Sequence, residues 1–440
     1  MRVASFAVLL VAAAVQTPAV AVRPLDLHEA QQRGAIGLLV PDAGPRTSEA
    51  RARASLLCGE VVNALRGRVA RCARPRVRIV SGDAPIVLEL PKGGTQRNDR
   101  RYPILLVGGH GLLTSDSTRI PGLVSIADIG EGRLRTVPAA HPAAYLERLD
   151  DRISENAYAR TRAFLLAAAI LAALALVAPR AAAAGFVAVL AANLALGAAG
   201  VSAFWAVMLA IGLAAAVGGP LLALLPLVPV SLAVVAAYLG ALAADGTWVS
   251  LSPLGPAQAG RFFGVTNRVE ALLLVPALVA ASRRRVFLPA AALGVVTVAG
   301  SAFGADGGGA VVLVVAYAAL AIGLFGPRLA LPAAAVVAGA TALAILVGPS
   351  THVTSAGAGA LPDRVRLSLD LLADDWHVAA ATAAALAALV VLVVRGPRRP
   401  LPLALAAGVA ASLIVNDSPL EVSLGGLVGY LTLAGYDSPR

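Results

Sequence analysis

Beyond residue 162 the chain consists of long apolar runs separated by short polar turns, and no other feature restricts its fold as strongly. A run of about 20 apolar residues is long enough to cross a bilayer as a helix. The composition agrees, because 58% of the 440 residues are hydrophobic, 14% are charged and the mean hydropathy is +0.79. Soluble proteins carry about 25% charged residues. We therefore expect a multi-pass membrane protein.

The apolar runs predict ten membrane spans and an eleventh segment that either crosses or re-enters the bilayer. In residue numbers, the ten are 163–178, 183–199, 201–217, 220–243, 269–282, 286–301, 309–326, 329–348, 377–394 and 401–415, and the eleventh segment is 420–436. Several fall below the about 20 residues that cross a bilayer comfortably, so tilted helices or buried half-helices are expected.

Arginine-rich turns orient these spans, because cytoplasmic loops are enriched in Lys and Arg. The arginines fall at alternate ends of the predicted spans, at Arg180, Arg283 to Arg285, Arg328, Arg395, Arg398 and Arg399. Acidic and amide residues fall at the opposite ends, which the pattern places on the extracytoplasmic side. The formal charge of +11 does not indicate nucleic-acid binding, since much of the excess lies in these turns and no nucleic-acid-binding module is present.

The first residues predict export of the segment that follows them. A charged start, an apolar stretch at 3–15 and the motif Ala19-Val20-Ala21 are typical of a secretory signal peptide covering residues 1–21. The alternative is an uncleaved anchor helix. Both deliver the next segment to the outside.

Residues 22–160 have the pattern of a small exported α/β domain, followed by a polytopic helical domain at 163–440. Strand candidates at 34–40, 76–80, 86–90 and 102–107 alternate with a helix predicted at 48–65. Such alternation favours a partly parallel sheet. Cys58 and Cys72, the two cysteines of the chain, lie in this segment and either pair in an oxidising compartment or remain free buried thiols.

Three polar clusters interrupt the apolar runs, and the predicted topology places all three on the outer side. They are Arg261 to Asn267 with Glu270, then Gly304 to Gly309 around Asp306, then Asn416-Asp417-Ser418. Ionisable groups at membrane depth are costly and usually functional. We expect one outward-facing site, with Asp306, Asp417 and Glu270 as acid–base groups or metal ligands and Arg261, Asn267, Asn416 and Ser418 binding substrate. The alternative is that these residues cap helices and form loops.

Other polar stretches favour structural interpretations. Residues 364–375 resemble a short amphipathic helix at the membrane surface rather than a His/Asp metal site. The His, Ser and Asp of 108–119 follow a predicted strand, where a loop is the ordinary interpretation. The sequence contains no HExxH, GxSxG, paired CxxC or P-loop motif, and it identifies no cofactor or metal.

The stretch from Gly111 to Ile129 (GLLTSDSTRIPGLVSIADI) resembles the closing part of alkaline-phosphatase-superfamily domains. Together with the three polar clusters, it resembles a family of uncharacterised multi-pass envelope proteins of actinobacteria. The resemblance implies a surface-exposed α/β domain joined to a polytopic region in the plasma membrane. The superfamily's metal-binding Asp/His set and nucleophile have no counterparts here, so the resemblance implies a binding or regulatory remnant rather than a phosphatase.

Three functions follow as hypotheses. The first is a membrane protein of the bacterial cell envelope that acts on or binds a lipid-linked or anionic envelope precursor at an outward-facing site. The second is a non-catalytic scaffold whose exported domain binds an envelope protein. The third, ranked below these two, is a transporter or flippase, which should show an internal repeat that the sequence does not display.

Overall fold

The computed structural model describes residues 17–42, 46–59, 72, 74–256, 262–346, 368–369, 372–373, 375–396, 398–416 and 418–436. These form an α/β sheet region followed by a helical region with seven helices long and apolar enough to cross a membrane. The coarse architecture predicted from the sequence is therefore confirmed.

The sheet region contains ten strands among its described residues. They are β1 Ala19–Val22, β2 Gly34–Val40, β3 Arg46–Thr47, β4 Arg78–Val80, β5 Ile86–Leu88, β6 Gln96–Arg97, β7 Tyr102–Val107, β8 Leu112–Ser115, β9 Leu123–Ser125 and β10 Leu134–Val137. Seven strands follow the order β10-β8-β2-β7-β5-β1-β4, with β9 also paired to β2, and β3 pairs with β6 separately. The main sheet is mixed, because β2 runs parallel to β8 and β9 but antiparallel to β7.

Strand β2 is buried along its whole length because helices cover both faces of the sheet. Its side chains alternate between two hydrophobic clusters, since successive residues of a strand point to opposite faces. Ile36 and Leu38 pack with the first turns of a long helix, and Ala35 and Leu39 pack with short helices on the other side. Those short helices are α2 Glu49–Cys58 and α3 Ile126–Gly130, with α1 Leu27–Ala30 near the strand's start.

Helix α2 ends at Cys58, whereas the sequence predicted a helix that continues to residue 65. Its first residue follows Ser48, whose hydroxyl accepts a hydrogen bond from Arg51 N. Gly59 ends the helix in the left-handed conformation, with φ at 62°, which glycine adopts at little cost. Cys58 and Cys72 form a disulfide that ties the end of this helix to the chain before β4.

The predicted cleavage site after Ala21 falls inside β1. This strand pairs in parallel with both β4 and β5, and Val20 is fully buried. Cleavage after Ala21 would remove three of the four strand residues, whereas an uncleaved anchor would leave β1 intact. The boundary predicted at residue 21 therefore does not coincide with a boundary in the structure.

A continuous helix, α4 Pro142–Val177, joins the sheet region to the helical region. Its 36 residues extend over about 54 Å at 1.5 Å per residue. Leu146, Leu149 and Ile153 belong to the hydrophobic cluster of the sheet. Further along, Phe164 and Leu171 belong to the cluster of the helical bundle. One rigid element therefore fixes the two regions to each other.

The bundle contains ten further long helices within the described part of the chain. They are α5 Pro179–Ala199, α6 Phe204–Leu222, α7 Leu227–Ala244, α9 Asn267–Ala280, α10 Phe287–Ala299, α11 Gly307–Phe325, α12 Pro327–Leu346, α13 Trp376–Arg395, α14 Pro400–Val415 and α15 Pro419–Tyr436, with the short α8 Thr247–Ser250 after α7. The seven candidate spans are α4, α5, α6, α7, α11, α12 and α13. Helices α9, α10, α14 and α15 are shorter or less apolar.

The break predicted at Gly218-Gly219-Pro220 is wrong, because α6 continues through these residues with a π-helical turn at Ala214–Gly218. The chain turns instead at 223–226, before α7. A Cβ on Gly219 would stand 2.9 Å from the Cα of Gly185 in α5. These two glycines therefore allow two helices to pack closely rather than forming a turn.

The arginine-rich turns lie together at one end of the bundle, here called the arginine-rich end. Arg180 donates to Ala223 O and Leu225 O at 2.8 and 3.0 Å, which joins the turns before α5 and α7. Arg399 donates to Ala434 O at 2.9 Å, near the end of α15. Cations at helix C-termini stabilise the exposed carbonyl groups there.

The opposite end, here called the polar end, carries the sheet region. Arg119 in the β8–β9 loop donates to Ser301 O at 3.0 Å and stacks 3.9 Å above the ring of Phe263. Leu251 and Phe262, from the loop between α7 and α9, belong to the hydrophobic cluster of the sheet. Burial lowers the pKa of the Arg119 guanidinium, and nearby Asp116 opposes that shift.

Candidate functional site

Three helices, α9, α11 and α15, begin at the polar end and meet there. Thr266 caps α9, and its hydroxyl accepts a hydrogen bond from Val269 N at 3.2 Å. Asp306 occupies the N-cap position of α11, and Ser418 directly precedes α15. Free backbone N–H groups and helix dipoles make such ends favourable for negative charge. Carboxylates placed here are therefore stabilised despite their burial.

Glu270 and Asn416 come from helices that are distant in sequence, and the structure brings them into contact. The Asn416 amide donates to Glu270 Oε2 at 3.0 Å and to Ser412 Oγ at 2.7 Å. Glu270 is 3% exposed and Asn416 is 5% exposed. The amide thus holds the Glu270 carboxylate in one orientation away from bulk water.

Asp306 joins the same group through the first turn of α11. A Cβ built on Gly308 would stand closer than 3.0 Å to Asn416 Oδ1 and 3.5 Å from Asp306 Oδ1. Both side chains therefore lie against the space that glycine leaves open, and Asp306 is 3% exposed. We call Glu270, Asp306 and Asn416 the carboxylate cluster.

Asn267 and Ser418 form a second contact beside this cluster. The Asn267 amide donates to Ser418 Oγ at 3.2 Å, which links the first turn of α9 to the start of α15. Asn267 and Glu270 are three residues apart and share a face of α9. The structure therefore gathers five of the predicted site residues: Glu270, Asp306, Asn267, Asn416 and Ser418.

Two predicted site residues, Arg261 and Asp417, lie outside the described residues, so the structure gives them no geometry. Most of the amphipathic helix predicted at 364–375 also lies outside. Within the described chain, no group of three or more His, Cys, Asp or Glu side chains has an arrangement that could hold a metal ion. The predicted roles of these carboxylates as metal ligands therefore receive no support from this geometry.

Two cationic side chains lie at the same end: Arg160 is buried, and Arg268 is 21% exposed. Arg268 in α9 pairs with Glu421 in α15 at 2.5 Å. Arg160 in α4 is 6% exposed, donates to Pro256 O at 2.7 Å and interacts electrostatically with Arg268. The sequence contained a signal for Arg160, because it continues the buried stripe of Leu149, Ile153 and Asn156 at helical spacing.

The polar residues of 108–119 are engaged within the sheet region. Ser115 is buried and shares a 3.2 Å hydrogen bond with Thr118, and its hydroxyl accepts from Ser125 N at 3.3 Å. Asp116 forms an ion pair with Arg135 at 2.8 Å. Ser117 donates to the buried carboxylate of Asp128. Within this segment Leu112–Ser115 forms strand β8 rather than the loop that the sequence predicted, and these contacts fasten the turn that follows it.

Comparison with known proteins adds no assignment: no protein family, curated protein or solved structure matches this chain. The resemblance to actinobacterial envelope proteins and to alkaline-phosphatase domains stays a prediction. Any function must therefore be argued from the site itself.

Proposed function

We propose that the chain is a plasma-membrane protein of a bacterial cell envelope whose polar end faces outward and binds an anionic, lipid-linked envelope precursor. The observation that carries this proposal is the carboxylate cluster. Buried ionisable groups from α9 and α11 are brought together through Asn416 at the end of α14, at the end of the bundle that carries the sheet region. Buried charge at the edge of an apolar bundle is costly and usually functional.

The proposed orientation follows from the contrast between the two ends. Arginines cluster at one end, and the Cys58–Cys72 disulfide belongs to the sheet region at the other. Arginine enrichment is typical of the cytoplasmic side, and disulfides are typical of the oxidising side. Large apolar side chains face outward from the helices and fit contact with lipid: Leu176, Val177, Trp205, Leu224, Leu331 and Leu346.

We also propose that α9, α10, α14 and α15 cross the bilayer, giving eleven spans. Their ends contact the same two ends of the bundle as the seven longer helices. At the arginine-rich end, a Cβ on Gly323 of α11 would meet Pro400 of α14. At the polar end, Val265 N donates to Gly304 O at 3.0 Å, between the starts of α9 and α11.

The chemistry of the site suits a phosphate-bearing ligand with hydroxyl groups nearby. Three helix N-termini and Arg268 favour the anionic group. Asn267, Asn416 and Ser418 offer neutral hydrogen-bond partners, and Glu270 and Asp306 offer carboxylates that accept a hydrogen bond or a proton from a ligand hydroxyl. A lipid-linked precursor has both kinds of group and reaches the site from the surrounding membrane.

Orientation is tested by labelling single cysteines with a membrane-impermeant maleimide in intact cells. The two native cysteines are joined in a disulfide, so an introduced cysteine is the reactive one. Asp245→Cys, exposed at the polar end, should be labelled, and Arg328→Cys, exposed at the arginine-rich end, should be protected. Labelling of Arg328→Cys with protection of Asp245→Cys would reverse the proposed topology.

Function is tested by following turnover of isotopically labelled lipid-linked precursors in cells that carry Glu270→Gln. This variant keeps the side-chain shape but removes the buried charge, and we expect turnover to fall strongly. Asp245→Asn is the control, because Asp245 is an exposed acid at the same end whose described side-chain hydrogen bonds are to Thr247, within its own turn. Unchanged turnover in Glu270→Gln would favour the scaffold hypothesis.

A further inference from the structure

Arg160 is the most deeply buried guanidinium for which exposure is described in the bundle, and its hydrogen-bonding capacity is only partly used. It is 6% exposed, and its Nη2 donates to Pro256 O at 2.7 Å. Its Nε is buried and has no hydrogen-bond partner. No carboxylate among the described residues forms an ion pair with it. A guanidinium has five N–H donors and remains charged in proteins, so this side chain carries an uncompensated buried charge.

Arg268 adds a second cation at the same end, because its partner Glu421 lies on α15, which packs against the helix α4 that carries Arg160. Its Nη2 pairs with Glu421, while its Nε is also buried without a hydrogen-bond partner. Among these three side chains, two positive charges therefore face one negative charge. Like charges close together repel each other, and burial of the unpaired Arg160 charge is expensive. An arrangement of this kind is stabilised when an anion supplies the missing charge and accepts the free N–H groups.

We propose that Arg160 and Arg268 form a phosphate-binding subsite, which takes a phosphate or pyrophosphate group. Guanidinium groups match phosphate oxygens in geometry and form short, charge-assisted hydrogen bonds with them. Glu421 holds Arg268 in place and limits the net charge of the subsite when it is empty. The lipid-linked source of the phosphate rests on the proposed function. The phosphate-binding chemistry itself is argued only from the contacts of these three side chains.

Binding is measured with the full-length protein in nanodiscs, using two sources of the same group. In one arm the nanodiscs contain only zwitterionic phosphatidylcholine, and inorganic pyrophosphate is titrated from solution. In the other arm a polyprenyl phosphate lipid is added to the bilayer and no soluble phosphate is present. Stabilisation against thermal unfolding reports binding in both arms. Saturable stabilisation in either arm supports the subsite and identifies the source, and its absence from both arms overturns the proposal.

Arg160→Gln should weaken binding by about tenfold to a hundredfold, the loss expected when a charged hydrogen-bond donor is removed. Arg162→Gln is the matched control, because Arg162 lies two residues away on α4, is exposed, and has its described contacts with the neighbouring Tyr158. Binding should be unchanged in that control. Equal phosphate binding by wild type and Arg160→Gln would show that Arg160 only holds the carbonyl of Pro256.

A second variant, in which phosphate affinity should rise rather than fall, tests the proposal if Arg160→Gln does not fold. Glu421→Gln removes the negative charge that competes with the ligand, so phosphate should bind several-fold more tightly. A purely structural ion pair predicts no gain in affinity, and unchanged or weaker binding would contradict the subsite. This outcome is separate from the Glu270→Gln turnover experiment. If the protein binds phosphate but Glu270→Gln leaves turnover unchanged, the subsite is retained and the proposed function is rejected. If turnover falls in Glu270→Gln but the protein does not bind phosphate, the subsite alone is rejected.

Discussion

Two sets of buried polar side chains in the described part of the bundle differ in their charge and in how many of their polar atoms are hydrogen-bonded. The first, here called the neutral network, is Asn193, Tyr238 and Ser252. The Asn193 amide donates to Tyr238 OH and to Ser252 Oγ, both at 3.0 Å, and its carbonyl accepts from Leu254 N at 2.9 Å. Tyr238 OH in turn donates to Leu190 O at 3.2 Å. This network uses neutral groups and fastens the chain after α7 to the bundle.

The second group, at the polar end around the starts of α9, α11 and α15, contains charged residues, with Asn416 as a neutral member. It contains the carboxylate cluster and the pair Arg160 and Arg268, whose buried Nε atoms have no hydrogen-bond partner. Folding alone favours neutral, satisfied groups, because they avoid the cost of buried charge. The first group therefore stabilises the fold, whereas the second carries the cost of buried charge.

The largest expected effect is on the neutral network. Asn193→Leu removes partners from Tyr238, Ser252 and Leu254 N, and we expect a loss of about 3 kcal/mol in the free energy of unfolding, at about 1 kcal/mol for each buried group. Phosphate binding by the folded protein should be unchanged. Thermal unfolding and pyrophosphate titration of the same nanodisc sample measure both quantities.

Tyr238→Phe is the graded control for this substitution, because it removes one hydroxyl and leaves the other two Asn193 contacts. It should cost about 1 kcal/mol. If Asn193→Leu abolished phosphate binding without loss of stability, the neutral network would belong to the ligand site and the contrast between the two groups would fail.

The sequence was sufficient for most of the helices, for a physical reason. Apolar runs have no stable alternative to a helix in lipid, so ten of the eleven predicted segments each correspond to one helix, whereas the segment 220–243 contains the turn at 223–226. Glu270 and Asn416 were chosen because charge and amide groups interrupt such runs at the predicted outer side. Their contact was not derivable, since it depends on how α9 and α14 pack.

Other features depend on tertiary packing and were missed for that reason. The glycines of 218–219 suggested a turn, but they serve the close contact between α5 and α6. Arg160 lies just before the first predicted span and was not predicted as a site residue, although it belongs to the buried stripe of α4. A guanidinium on a buried helical stripe indicates a site residue more strongly than a local concentration of charged residues does. The reason is that a buried guanidinium needs a partner that compensates its charge.

A smaller effect is expected at Gly308. In Gly308→Ala the new methyl group meets Asn416 Oδ1 and displaces it from the carboxylate cluster, which should cost about 2 kcal/mol of stability. Precursor turnover should fall as well, because Asn416 orients Glu270. Stability is measured by thermal unfolding and turnover by isotope labelling.

Gly339→Ala provides the matched control, since a Cβ at Gly339 in α12 meets nothing within 4 Å. Alanine in an open helical position should be neutral or stabilise by up to about 1 kcal/mol. Equal behaviour of the two variants would show that Asn416 moves freely and that the carboxylate cluster is not held by the α11 turn.

The smallest effect is expected for the contact between Asn267 and Ser418. A double-mutant cycle with Asn267→Ala and Ser418→Ala isolates this bond from the other contacts of each residue. We expect a coupling free energy of about 0.6 kcal/mol, typical of hydrogen bonds between membrane helices. Thermal unfolding of the four proteins gives this value without ligand, and the same cycle repeated with the polyprenyl phosphate lipid tests the role of the pair. If the two residues bind ligand, the coupling should increase when ligand is present, because one bound group then contacts both side chains. If the coupling free energy is the same with and without the lipid, the hydrogen bond between Asn267 and Ser418 only joins α9 to α15, and its role is structural like that of the neutral network.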